Sequence, residues 1–144
     1  MFAYLWPMAL VICANVLYNV ASKSVPGDSE PFAVLLVTYL TAGGLSLLGF
    51  YLFGAHRDGL ALALQKTNWT AVALGVSMVA LEVGFIYIYR AGWKVSAGSL
   101  VANTGLAVAL VIVGFAFYKE HISLQQILGM LLATAGVAVL IADR

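Results

Sequence analysis

Apolar residues gather in five long stretches along this chain, each closed by a short polar connection. The stretches cover about 2–22, 32–54, 69–89, 96–118 and 123–141. About 20 mostly apolar residues cross a hydrocarbon core of roughly 30 Å as a helix. Each stretch is therefore predicted to be a membrane-spanning helix. Helices are expected because a backbone exposed to lipid must satisfy its own hydrogen bonds. Strands of a membrane barrel would read as shorter, alternating segments, and these do not.

The connections carry the polar and turn-forming residues. "KSVPGDSEP" (23–31) holds Pro26, Gly27 and Pro31, which favour turns. "AHRDGLALALQKTN" (55–68) is the longest and has room for a short interfacial helix. "RAGWKV" (90–95) and "KEHI" (119–122) are tight. Trp6, Tyr51, Trp69, Trp93 and Tyr118 fall near segment ends, the depth of the aromatic belts. Pro7 lies in the first turns of the first segment, where a missing N–H costs little.

Composition narrows the class. The chain has 144 residues, 63% hydrophobic and 9% charged, with a mean hydropathy of +1.01. A soluble domain carries about 25% charge, so lipid is this chain's main solvent. The length fits a single domain over 1–144. A net charge of +1 without a basic tail gives no case for nucleic acid. Cys13 is the one cysteine. It forms no intrachain disulfide, and no Cys/His cluster suggests a metal. No phosphate loop, Ser/His/Asp set or cofactor motif is present, so an enzyme is not expected. His56 and His121 fall in connections and read as solvated surface. The first segment lacks a basic leader, and its apolar run is longer than that of a signal peptide.

Charge leaves the orientation nearly balanced. The side bearing the N-terminus holds Arg57, Lys66 and Lys119, and the opposite side holds Lys23, Arg90, Lys94 and Arg144. Cytoplasmic connections normally carry the excess of Lys and Arg. A bias this weak fits a chain that inserts in both orientations. It equally fits an orientation decided by features outside the charge count. Two oppositely oriented copies would reproduce, with two chains, the inverted repeats of many transporters.

The polar residues inside the segments are the candidate chemistry. The first segment carries Asn15, Tyr18, Asn19 and Ser22, spaced i, i+3, i+4 and i+7, which places them on one helix face. Tyr4 lies three turns back on the same side. The fourth carries Ser96, Ser99 and Asn103 on one face, with Thr104 beside it. The second carries Thr38 and Thr41, and the fifth Thr134. Such groups often do no more than hydrogen-bond between membrane helices.

Glu82, in the middle of the third segment, is different. An acid at the membrane centre costs about 2.5 kcal/mol or more on insertion. It needs a cavity, a proton or a partner, and no Lys or Arg lies at its depth. Met78, Phe85 and Tyr89 flank it, and Arg90 lies two turns above. Two readings stay open. Glu82 exchanges a proton or holds a cation, or it is a protonated acid hydrogen-bonded to Asn or Tyr on a neighbour. The expected substrate and proton site is Glu82, Asn15, Tyr18, Asn19, Tyr89 and Asn103.

Glycines suit close helix packing. "GMLLATAG" separates Gly129 and Gly136 by seven residues, which sets them on one face. That face serves either a contact within the chain or a seam between two chains.

The order of these features resembles one half of an EamA-type member of the drug/metabolite transporter superfamily. The carrying stretch is "SAGSLVANTGLAVALVIVGFAFYKEHISLQQILGMLLATAGVAVLI", residues 96–141. It pairs a small-residue-rich helix with an acidic turn and a final helix with repeated glycine and "GV". The polar "ANVLYNVASK" of the first segment is similar as well. The resemblance implies an all-α integral membrane protein of five helices, half of a ten-helix inverted-repeat architecture, in a prokaryotic inner membrane. It implies a small-molecule transporter, taken here as an exporter, that needs a second half; the nearest partner is a second copy, and the other partners are lipids and the substrate.

The final helix also resembles that of the small multidrug resistance proteins, which implies a dimer role for Gly129, Gly136 and Val137. Those proteins carry their coupling glutamate in the first helix. This chain has none there, so Glu82 is the candidate instead, possession of a substrate and coupling mode not being transferable from that family. Glu120 matches the acidic turn and reads as a cap or tether, with Ser123 as the N-cap of the last helix. The alternatives from other classes are a non-transporting or heterodimeric membrane subunit and a flippase for lipid-linked substrates.

Overall fold

A computed structural model describes residues 2–54 and 59–142, with side chains from Leu5 onward. The expectations placed on Tyr4, His56, Arg57 and Arg144 fall outside those side chains. The elements are α1 (Phe2–Ser24), α2 (Pro31–Phe53), α3 (Gly59–Gln65), α4 (Trp69–Arg90), α5 (Val95–Tyr118) and α6 (Leu124–Ala142). No strand occurs among the described residues. All but α3 are long and apolar enough to cross a membrane, with mean hydropathies from 1.5 to 2.2. Their ends lie within two residues of the five predicted segments. The longest connection does contain a short helix, α3.

Local chemistry sets the helix ends. Glu30 caps α2, its Oε2 accepting from the Ala33 N–H at 2.6 Å, and Pro31 follows at the first helical position, where its fixed φ suits a helix start. Gly54 ends α2 by donating its N–H to Phe50 O at 2.9 Å. A Cβ at Gly54 would collide with that oxygen, so the close approach requires glycine. Asn68 precedes α4, and its Oδ1 accepts from the Thr70 N–H at 3.0 Å. Ser123 and Gln126 form a reciprocal pair at the start of α6. The Ser123 N–H donates to Gln126 Oε1 at 2.8 Å, and the Gln126 N–H to Ser123 Oγ at 3.2 Å. That is a capping box, and it places Ser123 as the expected cap. Pro7 sits inside α1, which continues through it.

The chain divides into two compact units. One joins Met1–Val20 with Ala91–Arg144, and the other is Ala21–Arg90. In the first, α5 packs against α6. In the second, α2 packs against α4. Its buried side chains follow helical spacing: Pro31 and Leu35 on α2, and Glu82, Ile86 and Tyr89 on α4.

Most large apolar side chains face outward. Leu40 is 69% exposed and Leu132 75% exposed. In water such surface would be an association hazard. In a bilayer the acyl chains cover it, and the helices keep their backbone bonds internal.

Candidate functional site

Two asparagines one turn apart on α1 begin the site in the first unit. Asn19 Nδ2 donates to Asn15 Oδ1 at 2.6 Å and to Asn15 O at 2.8 Å. Asn19 is buried, at 4% exposure, and Asn15 is open. Opposite them, one turn apart on α5, stand Ser99 and Asn103. The four residues line one cavity of about 360 Å³, whose remaining wall is aliphatic, including Val11, Val16 and Val95. That volume lies within the range of small-molecule sites. Ser99 Oγ donates to Val95 O at 2.7 Å, so the serine presents its oxygen as an acceptor. The wall holds amides and a hydroxyl but no ionised group. It suits a neutral or amphipathic molecule with a few hydrogen-bonding groups. Asn103 also borders a mostly apolar cavity of about 180 Å³ with Met130 and Ala133 of α6.

Of the expected site, Asn15, Asn19 and Asn103 therefore share a cavity. Tyr18 is half-buried on α1 and is not part of that wall. Glu82 and Tyr89 belong to the second unit.

There, Glu82 is 8% exposed on the buried face of α4, with Ile86 and Tyr89 one and two turns on. The Tyr39 hydroxyl of α2 lies within electrostatic reach of the Glu82 carboxylate. It is buried and has no hydrogen-bond partner among the described residues. Sequence reasoning passed over Tyr39, because a tyrosine in an apolar run reads as one more lipid-facing aromatic. The four-residue spacing Pro31, Leu35, Tyr39 was the signal that could have found it. Phe85 and Tyr89 stack loosely, with centroids 6.0 Å apart. Arg90 ties α4 to the α1–α2 connection: its Nη2 donates to the Ser29 carbonyl, to Pro26 O at 3.1 Å and to Ser29 Oγ at 3.2 Å.

Three intramembrane threonines turn back on their own helices. Thr38, Thr41 and Thr134 donate to the carbonyls four residues earlier, at 3.0, 2.9 and 2.8 Å. They do not act as the interhelical glue that membrane threonines often supply.

At the turn into α6, Lys119 takes a left-handed φ of 54°, a common helix exit. The Glu120 N–H donates to Gly114 O at 3.1 Å. Its carboxylate lies over Gly114, where a Cβ would be 2.6 Å from Oε2. Glu120 thus closes α5, as a tether would. Val137 is buried on α6, while Gly129 and Gly136 have open space where their Cβ atoms would stand. Among the described residues no group of three or more His, Cys, Asp or Glu is placed to hold a metal.

The whole span of helices takes part in the comparison with known proteins. The chain is 27% identical over 146 residues to the A-type ATP synthase subunit I of Pyrococcus abyssi, covering 90% of this chain and 22% of that protein. It is 25% identical over 153 residues to the subunit I of Pyrococcus horikoshii, with the same shares. The chain thus spans about a fifth of the curated relatives it matches. No solved structure matches it. The EamA-like transporter family matches residues 1–142, every helix from α1 to α6, and this integral membrane protein belongs to that family within the drug/metabolite transporter superfamily.

Proposed function

We propose that the chain is a secondary transporter that exports small metabolites or drugs as an antiparallel pair of identical five-helix subunits. The observation that carries this reading is the amide-lined cavity of about 360 Å³ within the membrane-spanning helices of a transporter-family member. Asn15, Asn19, Ser99 and Asn103 hold the substrate's polar groups, and the valines hold its apolar part. Tyr18 serves the substrate from α1 in the first unit, and Tyr89 serves Glu82 from α4 in the second. Glu82 carries the coupling proton, and Tyr39 steadies its carboxylate. The pair alternates access by rocking one five-helix half against the other. Gly129 and Gly136 leave room for a second chain's helix to approach α6, beside Val137.

Purified protein in proteoliposomes with an internal pH dye tests the coupling. Solutes that raise its melting temperature are the ones to supply. Glu82→Gln keeps the side chain's shape and removes its titration. The variant is expected to fold and to lose solute-driven proton movement. Unchanged proton movement in that variant overturns the role of Glu82.

A second reading is a non-transporting membrane subunit. It is favoured by the similarity to A-type ATP synthase subunit I over 90% of this chain. It predicts no flux from the pure protein for any stabilising solute, and a larger membrane assembly that co-purifies with the chain. Flux from the chain alone decides for the transporter.

A further inference from the structure

The second unit holds a cavity apart from Glu82. It has a volume of about 150 Å³ and lies where α1 ends and α4 ends, walled by Ser22, Lys23, Gly27, Ile86, Tyr89 and Arg90. That is several times the ~30 Å³ share of one liquid water. Two cations meet on its wall, and among the described residues no carboxylate lines it. Asp28 and Glu30 follow in the connection but are exposed, and Glu30 is turned to the Ala33 N–H.

The simplest account of the pair is structural. Lys23 and Arg90 each occupy the last turn of a helix, where a cation offsets the negative end of the dipole. Lys23 Nζ donates to Tyr89 O at 3.3 Å and lies 5.8 Å from the Tyr89 ring centroid. Arg90 holds the 26–29 connection through Nη2. That account leaves the Arg90 Nε–H buried and without an acceptor among the described residues. A buried donor lacking a partner is uncommon in folded proteins.

We propose that this cavity is an oxyanion site, taking a phosphate group between Lys23 and Arg90. The Lys23 ammonium supplies charge from α1. The guanidinium, already anchored through Nη2, offers its Nε–H to an anionic oxygen without further ordering. The Ser22 hydroxyl and the Gly27 segment complete the wall. The phosphate comes either from solution or from an anionic lipid headgroup, since the cavity sits at the end of two membrane-spanning helices. Neither source depends on the transport reading.

Two binding measurements on the full-length protein separate the sources. Inorganic phosphate is titrated by calorimetry against protein in a neutral detergent, with chloride as the background salt. Retention of phosphatidylglycerol over phosphatidylcholine is read by native mass spectrometry after extraction from mixed vesicles. Lys23→Gln is the test variant, because Arg90→Gln would also release the 26–29 connection. Arg90→Lys serves as the second variant, keeping the charge and removing the fork. Phosphate binding that Lys23→Gln weakens about tenfold, the scale of a lost charge-assisted hydrogen bond, supports the site with a soluble ligand. Preferential phosphatidylglycerol retention lost in Lys23→Gln, without phosphate binding, supports it with a headgroup. Binding of neither at millimolar phosphate or equimolar lipid overturns it, and so does binding that Lys23→Gln and Arg90→Lys both leave unchanged.

Discussion

At the scale of single residues, the polar groups within these helices sort by whether their own helix satisfies them. The hydroxyls of Thr38, Thr41 and Thr134 are bound to carbonyls four residues back. Asn15 and Asn19 pair with each other but border a cavity. The Tyr39 hydroxyl is buried, has no hydrogen-bond partner among the described residues, and lies within electrostatic reach of Glu82. An unsatisfied buried group destabilises by about 1–3 kcal/mol. Removing it should therefore not harm the fold. Tyr39→Phe is expected to leave the melting temperature unchanged or raised, while lowering proton-coupled flux. A lower melting temperature with unaltered flux would make Tyr39 a packing residue only. The asparagine stripe was legible in the sequence because i, i+4 spacing is a local property. Tyr39 was not, because its meaning depends on which face of α2 meets α4. A helix that is apolar all round carries no periodic signal of that face.

At the scale of elements, the five spans were legible because a bilayer demands length and apolarity, and both are read directly from the chain. The ends were legible where a cap is local. Ser123 and Gln126 bind each other across three residues. Ser123→Ala removes one half of this box and is expected to destabilise the α6 start by about 1 kcal/mol. Thermal unfolding in detergent, or hydrogen exchange at residues 124–127, measures it, and protection equal to wild type would show that lipid or neighbouring helices hold that turn instead. The exit from α5 was less legible. The acidic turn identified Glu120 as a tether, but its seat over Gly114 depends on Lys119 adopting a left-handed φ. A lysine there gives no sign of that geometry, whereas glycine would.

At the scale of the whole molecule, an odd number of spans sets the start of α1 and the end of α6 on opposite sides of the membrane, and the charge count barely distinguishes those sides. Arg90 grips the α1–α2 connection, and Lys23 binds the last turn of α4. These basic residues serve the folded structure at the same membrane face, so their placement is a poor record of orientation alone. An antiparallel pair requires that both orientations exist. Asp28, exposed in the α1–α2 connection, is the reporter position. The native thiol of Cys13 is exposed, so Cys13→Ser provides the background. A membrane-impermeant maleimide is expected to label Asp28→Cys in part from outside intact cells, and the remainder only after the membrane is opened. Complete labelling from one side would exclude an antiparallel pair of identical chains. Lysines added at Thr67 and Asn68 should then drive every copy into one orientation and abolish flux. Lysines added at Asp28 and Ser29 in a second copy should drive the opposite orientation, and coexpression of the two should restore it. Rescue only by that combination requires one subunit of each orientation, because either charged variant alone supplies just one.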